Sequence, residues 1–221
     1  MNMIKLYHIE AEGDPFGGSR NGCKAVIALE EIGVGYEINA LDRMADCRPT
    51  DAPYRQINPN GVTPTIDDNG FILWESGAIL QYLADANPSS GLLPTDLKER
   101  AKVLQWVAWE GASFAPALLN FFFAMTAPEP DEATVASTKE AFLSTLGILN
   151  KQLAGQDYIC GYYSIADIAI GAITSLSFLL GLDLSPYPNI LSWLARLREK
   201  PSWQAAPAVM SDMEAGKEQI G

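Results

Sequence analysis

Short runs of alternating apolar and polar residues open the chain, and helical spacing later replaces them. Met3-Ile4-Lys5-Leu6-Tyr7 predicts a first strand. From Cys23 to Ile32 the apolar positions Ala25, Ile27, Ala28, Leu29 and Ile32 suit a helix, which Gly33 closes as its C-cap. Tyr36-Glu37-Ile38-Asn39 alternates again and predicts a second strand. Thr65-Ile66-Asp67-Asp68-Asn69-Gly70-Phe71-Ile72-Leu73 reads as a hairpin, because Asn-Gly supplies the positive φ angles of a tight turn. Glu75 to Ala86 then predicts a helix with Ala78, Ile79, Tyr82 and Leu83 on one face. The order is βαβ, an irregular link, then ββα.

Strand signals stop at Asn87. The Pro-, Gly- and Ser-rich run 87–96 reads as a linker between an α/β domain at 1–86 and an all-α domain at 97–221. A long amphipathic helix is expected from Lys98 to about Ala127, carrying Leu104, Trp106, Val107, Trp109 and Phe114. Others are expected from Glu132 to Ala154, Pro188 to Lys200 and Ser202 to about Ala215. Between them Ser164-Ile165-Ala166-Asp167 has the form of a capping box opening a helix buried all round. The apolar run from Ile168 to Leu182 falls short of the ~20 residues that span a bilayer, and Thr174, Ser175 and Ser177 interrupt it. No membrane association is expected.

Composition narrows the picture. The chain has 221 residues, 48% of them hydrophobic and 19% charged, enough to bury a core. Fifteen Lys and Arg against 27 Asp and Glu give a net charge of −12, which argues against a phosphate-backbone partner. One His and the scattered Cys23, Cys47 and Cys160 argue against a zinc site, which takes about four N or S ligands. The cysteines are odd in number and form no C-x-x-C, and the N-terminus shows no secretory pattern. A reducing cytoplasm is therefore expected.

Three segments carry candidate chemistry. Gly17-Gly18-Ser19-Arg20-Asn21-Gly22-Cys23-Lys24 leads into the first helix, where free N–H groups and the positive dipole end favour an anion. Ser19 can donate a hydrogen bond there, or Ser19 or Asn21 simply caps the helix. In Asn58-Pro59-Asn60-Gly61-Val62-Thr63-Pro64, a proline just before a strand either sits at an edge, forms a cis bond that turns Thr63 toward a ligand, or makes an ordinary turn. Trp74-Glu75-Ser76-Gly77 places an acid and a hydroxyl at a helix start. Such a pair suits the ammonium and carboxylate of an α-amino acid, or serves as a cap alone.

Taken in this order, these elements resemble the thioredoxin-like domain of cytosolic glutathione S-transferases. Asn58 to Pro64 resembles the family's N-P-x-G-x-V-P segment, and ESGAILQYLA from Glu75 to Ala84 is similar to its E-S-x-A-I-x-x-Y-L. Tyr163-Ser164-Ile165-Ala166-Asp167-Ile168 resembles its S-x-x-D capping box. Ser19 to Lys24, with RAKVLQWVAW from Arg100 to Trp109, is most similar to the nu-class bacterial enzymes. The implied fold class is α/β + all-α, a thioredoxin-like βαβαββα domain followed by an all-helical bundle domain.

The resemblance implies glutathione as co-substrate and no metal. Glu75 and Ser76 would hold the γ-glutamyl ammonium and carboxylate, and the Thr63 backbone, presented by a cis Pro64, would pair with the cysteinyl unit. Ser19 would donate to the sulfur, with Asn21 a second donor and Cys23, one turn into the helix, a competing nucleophile read as structural. Phe114 and Phe122, with Phe121, Phe123 and Met125, lie where the family borders its electrophile pocket, or else belong to the core or a dimer interface.

Two departures matter. The acidic, Gly-rich loop 8–18 is longer than usual and would either cover the thiol site or displace Ser19 from it. Val62 stands where many relatives have Lys, so the glycyl carboxylate needs Arg20, Arg43 or Arg48.

The implied activity is conjugation of glutathione thiolate to a small apolar electrophile, a detoxification reaction, by a cytoplasmic homodimer. Glutathione-dependent disulfide or peroxide reduction and a non-catalytic binding or scaffold role are the alternatives. Residues 1–86 carry 13 acidic against 6 basic side chains. An anionic tripeptide must then be held by local devices rather than by bulk charge.

Overall fold

The computed structural model of the chain describes residues 3–12, 14, 17–42 and 51–220, so Arg43, Cys47 and Arg48 lie outside the described residues. Strand β1 (Ile4–His8) runs parallel to β2 (Tyr36–Ala40), joined by helix α1 (Arg20–Ile32) as parallel strands require. After a single turn, α2 (Ala52–Arg55), strand β3 (Thr65–Asp68) pairs antiparallel with β1 and with β4 (Phe71–Trp74), giving the sheet order β2-β1-β3-β4. Helix α3 (Ser76–Ala86) follows directly. Asn69 and Gly70 both have positive φ, 54° and 90°, as the Asn-Gly hairpin demands.

Helix α1 differs from its expected form at its start: it begins at Arg20 rather than Cys23, because Ser19 caps it. It ends as expected, on Gly33 in the left-handed conformation. Every residue from Gly22 to Leu29 is buried. The helix packs on α3 and also on the helical domain, so it has no solvent face along that stretch.

The helical domain begins with α4 (Leu97–Trp109) and α5 (Ala115–Met125). The single helix expected from Lys98 to Ala127 is interrupted between them by a widened π turn at Glu110–Phe114. Pro116 explains the break: it has no N–H to offer the carbonyl four residues back, and its ring crowds that carbonyl. Helices α6 (Glu132–Gln152), α7 (Ile165–Thr174), α8 (Leu176–Leu179) and α9 (Pro188–Arg198) come next. The expected helix from Ser202 to Ala215 is two, α10 (Pro201–Gln204) and α11 (Pro207–Ala215), separated where Pro207 cannot continue the ladder, and α12 (Lys217–Ile220) ends the order.

All ten residues of α7 are buried. Its capping box is present: Asp167 Oδ2 accepts from Ser164 N at 2.9 Å, while Ser164 Oγ accepts from Ala166 N at 3.3 Å. Asp167 Oδ1 takes two more donors, Ile159 N at 3.0 Å and Trp193 Nε1 at 2.9 Å, and so ties a loop and α9 to the same helix start. Among the described residues no helix is long and apolar enough to cross a membrane, and no group of three His, Cys, Asp or Glu is placed to hold a metal.

Candidate functional site

The start of α1 is built from both sides. Ser19 holds extended backbone angles, its N–H donates to Ile9 O at 2.9 Å, and its Oγ accepts from Gly22 N at 3.1 Å. Thr63 Oγ1 also donates to Ser19 Oγ, at 3.2 Å. With two hydrogen bonds accepted, the hydroxyl keeps its own hydrogen to donate outward. Gly22 is needed for space, since a Cβ there would lie 1.8 Å from His8 Nδ1. That imidazole is buried, and burial lowers its pKa to about 4, so it is neutral at pH 7.

The segment facing Ser19 is pinned from below. Asn58, fully buried, donates to Val62 O at 2.9 Å and to Thr65 Oγ1 at 3.1 Å. Tyr54 donates to Val62 O at 2.8 Å. The Thr63-Pro64 bond is cis, with Pro64 buried and Thr63 half-buried beside Ser19.

A third corner lies at the start of α3. Glu75 is exposed at φ 70°, a conformation that costs a non-glycine residue energy, and Ser76 follows as the first helical residue. The buried Lys24 of α1 reaches this corner and donates to Ser76 Oγ at 3.4 Å. Its ammonium also donates to Asn21 Oδ1 at 2.7 Å and pairs with Glu110 of the π turn at 2.9 Å. One cation thus links two of the segments chosen from sequence with the helical domain.

Between the two domains lies a cavity of about 410 Å³. Ser19, Asn21, Thr63 and Arg20 line one side, together with Ile9, Gly18, Gly61 and Val62. Leu119, Phe122, Phe123, Ile173, Leu176 and Leu179 form an opposite wall without a polar side chain. Pro64, Glu75 and Ser76 lie outside this lining, and Ser76 is joined to it through Lys24 and Asn21.

Comparison with known proteins fits this arrangement. Residues 15–85 match the family described as Glutathione S-transferase, N-terminal domain, and residues 115–201 match Glutathione S-transferase, C-terminal domain. Glutathione S-transferase D7 of Drosophila melanogaster is 34% identical over 176 residues, covering 74% of this chain and 77% of its own. The chain belongs to the glutathione S-transferase family. Disulfide-bond oxidoreductase YfcG of Escherichia coli is 32% identical over 212 residues, 90% of this chain and 92% of its own. Among solved structures, a theta class glutathione S-transferase from Xanthomonas axonopodis pv. citri with glutathione bound has a TM-score of 0.79 at 29% identity. It covers 94% of this chain and 98% of that one.

The glutathione S-transferase fold places the remaining candidates differently. Phe122 lines the cavity, but Phe114 does not: it is fully buried, 5.3 Å from the Trp109 ring and 5.5 Å from the Phe142 ring, and belongs to the core. The π turn carries Phe114 inward. Cys23 is 1% exposed, and burial pushes its thiol up to about 11, against the lowering effect of the Val209 and Ala208 backbone amides. A buried thiol of that kind is structural. Arg20 lines the cavity, yet its Nε and Nη2 engage both Asp212 carboxylate oxygens, at 2.9 and 2.5 Å, and Nη1 donates to Gly18 O. Arg20 is committed to tying α11 to the site. The loop before Ser19 leaves that residue on the cavity, with Ile9 contributing to the lining.

Sequence reasoning overlooked Lys24, Glu110, Asn58, Tyr54 and Asp212 as site-building residues. A lysine at helical spacing inside the apolar run 23–29 was a signal for Lys24. Glu110 and Asp212 gave none, since their partners lie 86 and 192 residues away.

Proposed function

We propose that the protein binds glutathione along Ser19, Thr63 and Glu75-Ser76 and conjugates its thiolate to a small apolar electrophile. The observation that carries this reading is the two-sided cavity: hydrogen-bond donors of Ser19 and Asn21 on one wall, an unbroken apolar wall on the other. A free thiol with pKa ~8.5 is mostly protonated at neutral pH, and donors at a helix N-terminus favour the thiolate. The Ser19 hydroxyl has its hydrogen left to give. Asn21 has its oxygen on Lys24 and its amide hydrogens remaining. The thiol gives its proton to solvent, and its sulfur then forms the bond to the electrophilic carbon while the leaving group takes the displaced electron pair. Leu119, Phe122, Phe123, Ile173, Leu176 and Leu179 would hold that second substrate by apolar burial.

Reduction of disulfides or peroxides with glutathione is a second reading, favoured by the similarity to the oxidoreductase of Escherichia coli. The apolar wall weighs against it, because a second polar tripeptide would leave its amides facing hydrocarbon. A division at residues 87–96, a cytoplasmic location and a homodimer belong to the leading reading. For the homodimer, exposed Phe71 on the edge strand β4 and Leu97 offer apolar surface at 50% and 78% exposure. Binding to immobilised glutathione, followed by turnover of an aromatic halide against a hydroxyethyl disulfide, tests the function. Conjugation lost in Ser19→Ala with binding intact supports it. No retention on the resin sinks both enzyme readings and leaves a non-catalytic role.

A further inference from the structure

Lys24 is 1% exposed and its partner Glu110 is 5% exposed, so both charges are buried. An ammonium has three hydrogens to give, and Lys24 has three acceptors: Asn21 Oδ1 at 2.7 Å, Glu110 Oε1 at 2.9 Å and Ser76 Oγ at 3.4 Å. Two of these three belong to groups that can either donate or accept. A primary amide offers an oxygen or an NH2, and a hydroxyl rotates to suit its surroundings. With Lys24 holding both oxygens, the Asn21 amide hydrogens and the Ser76 hydroxyl hydrogen are the edges left for a ligand.

We propose that Lys24 is a positioning residue that fixes Asn21 and Ser76 as hydrogen-bond donors toward an anionic ligand, with Glu110 anchoring it from the helical domain. This rests on the reading of the site as one for glutathione. The thiolate would face Asn21 and the γ-glutamyl carboxylate Ser76, two anions that the wrong edge of either group would repel. The π turn has a part in this: it sets Glu110, at the join of α4 and α5, against a cation of α1. Docking of the helical domain and the polarity of the glutathione site are thereby linked through one side chain.

The alternative is that Lys24 and Glu110 merely hold the domains together. The variant Lys24→Met/Glu110→Leu separates the two, since replacing a buried ion pair by apolar residues is often neutral or stabilising. Affinity for S-methylglutathione, which has no thiol to ionise, reports on Ser76. The pH midpoint of thiolate absorbance for bound glutathione reports on Asn21. With the urea midpoint retained, the double variant is expected to bind S-methylglutathione about tenfold more weakly and to hold about tenfold less thiolate at a given pH, the effect of one misdirected hydrogen bond to a charged group. Wild-type values on both readouts would overturn the role of Lys24. Asn21→Asp keeps an acceptor for Lys24 but offers the cavity an oxygen, and it serves if the double variant does not fold. It too is expected to raise the thiol midpoint, and an unchanged midpoint would refute the donor assignment. If the wild-type protein binds neither compound, the glutathione reading itself fails, and the positioning role with it.

Discussion

Lowering the pH from 7 to 5 is expected to remove about 2 kcal/mol of stability through a single group, the His8 imidazole. The ring is 4% exposed, its Nδ1 has no hydrogen-bond partner among the described residues, and it lies against Gly22 in the first turn of α1. Burial lowers its pKa from 6.5 to about 4. The positive end of α1 gives an imidazolium no compensation. Because the folded-state pKa lies below the unfolded one, the unfolded chain takes up the proton first. The contribution is complete above about pH 6.5 and is lost as the pH falls through 4, for a total of about 3 kcal/mol.

The chain has one histidine, so a single imidazole resonance followed by NMR gives the pKa directly. Urea midpoints at pH 7 and 5, compared between wild type and His8→Phe, give the energy. The comparison is necessary because Asp167, pushed up to about 6 by burial, works in the opposite direction and is common to both proteins. An imidazole titrating at 6 or above, or equal pH dependence in the two proteins, would refute the reasoning.

Other consequences are simpler to read. Phe114→Ala is expected to cost about 3–5 kcal/mol and leave the affinity for apolar electrophiles intact, whereas Phe122→Ala should cost less and raise KM for an aromatic halide; denaturation and steady-state kinetics on both variants check this. Asp167→Ala strands the donors of Ser164, Ile159 and Trp193 and is expected to cost about 4 kcal/mol by urea unfolding. A loss below 1 kcal/mol would mean that water replaces the carboxylate. Cys23, buried with its thiol near 11, should resist a thiol reagent until the protein unfolds. Rapid native-state labelling of Cys23, mapped by mass spectrometry, would contradict its structural role.

Much of this protein is local, and the sequence by itself determined those parts. The Asn69-Gly70 hairpin, the Gly33 cap, the Ser164–Asp167 box and the Ser19 helix start each depend on neighbours within about four residues, where steric and hydrogen-bond preferences act directly. The breaks at Pro116 and Pro207 were equally local, written in residues that cannot complete a helical ladder. Tertiary structure alone decided which rings face the cavity: Phe114, the last residue of the π turn, is buried against Trp109 and Phe142, whereas Phe122, about two turns further along α5, lines the cavity. It alone engaged Arg20 with Asp212 and joined Lys24 to Glu110, pairs remote in sequence. A buried charge selects its partner by distance in space, where low dielectric makes an unpaired ion costly, and no periodicity along the chain encodes that choice.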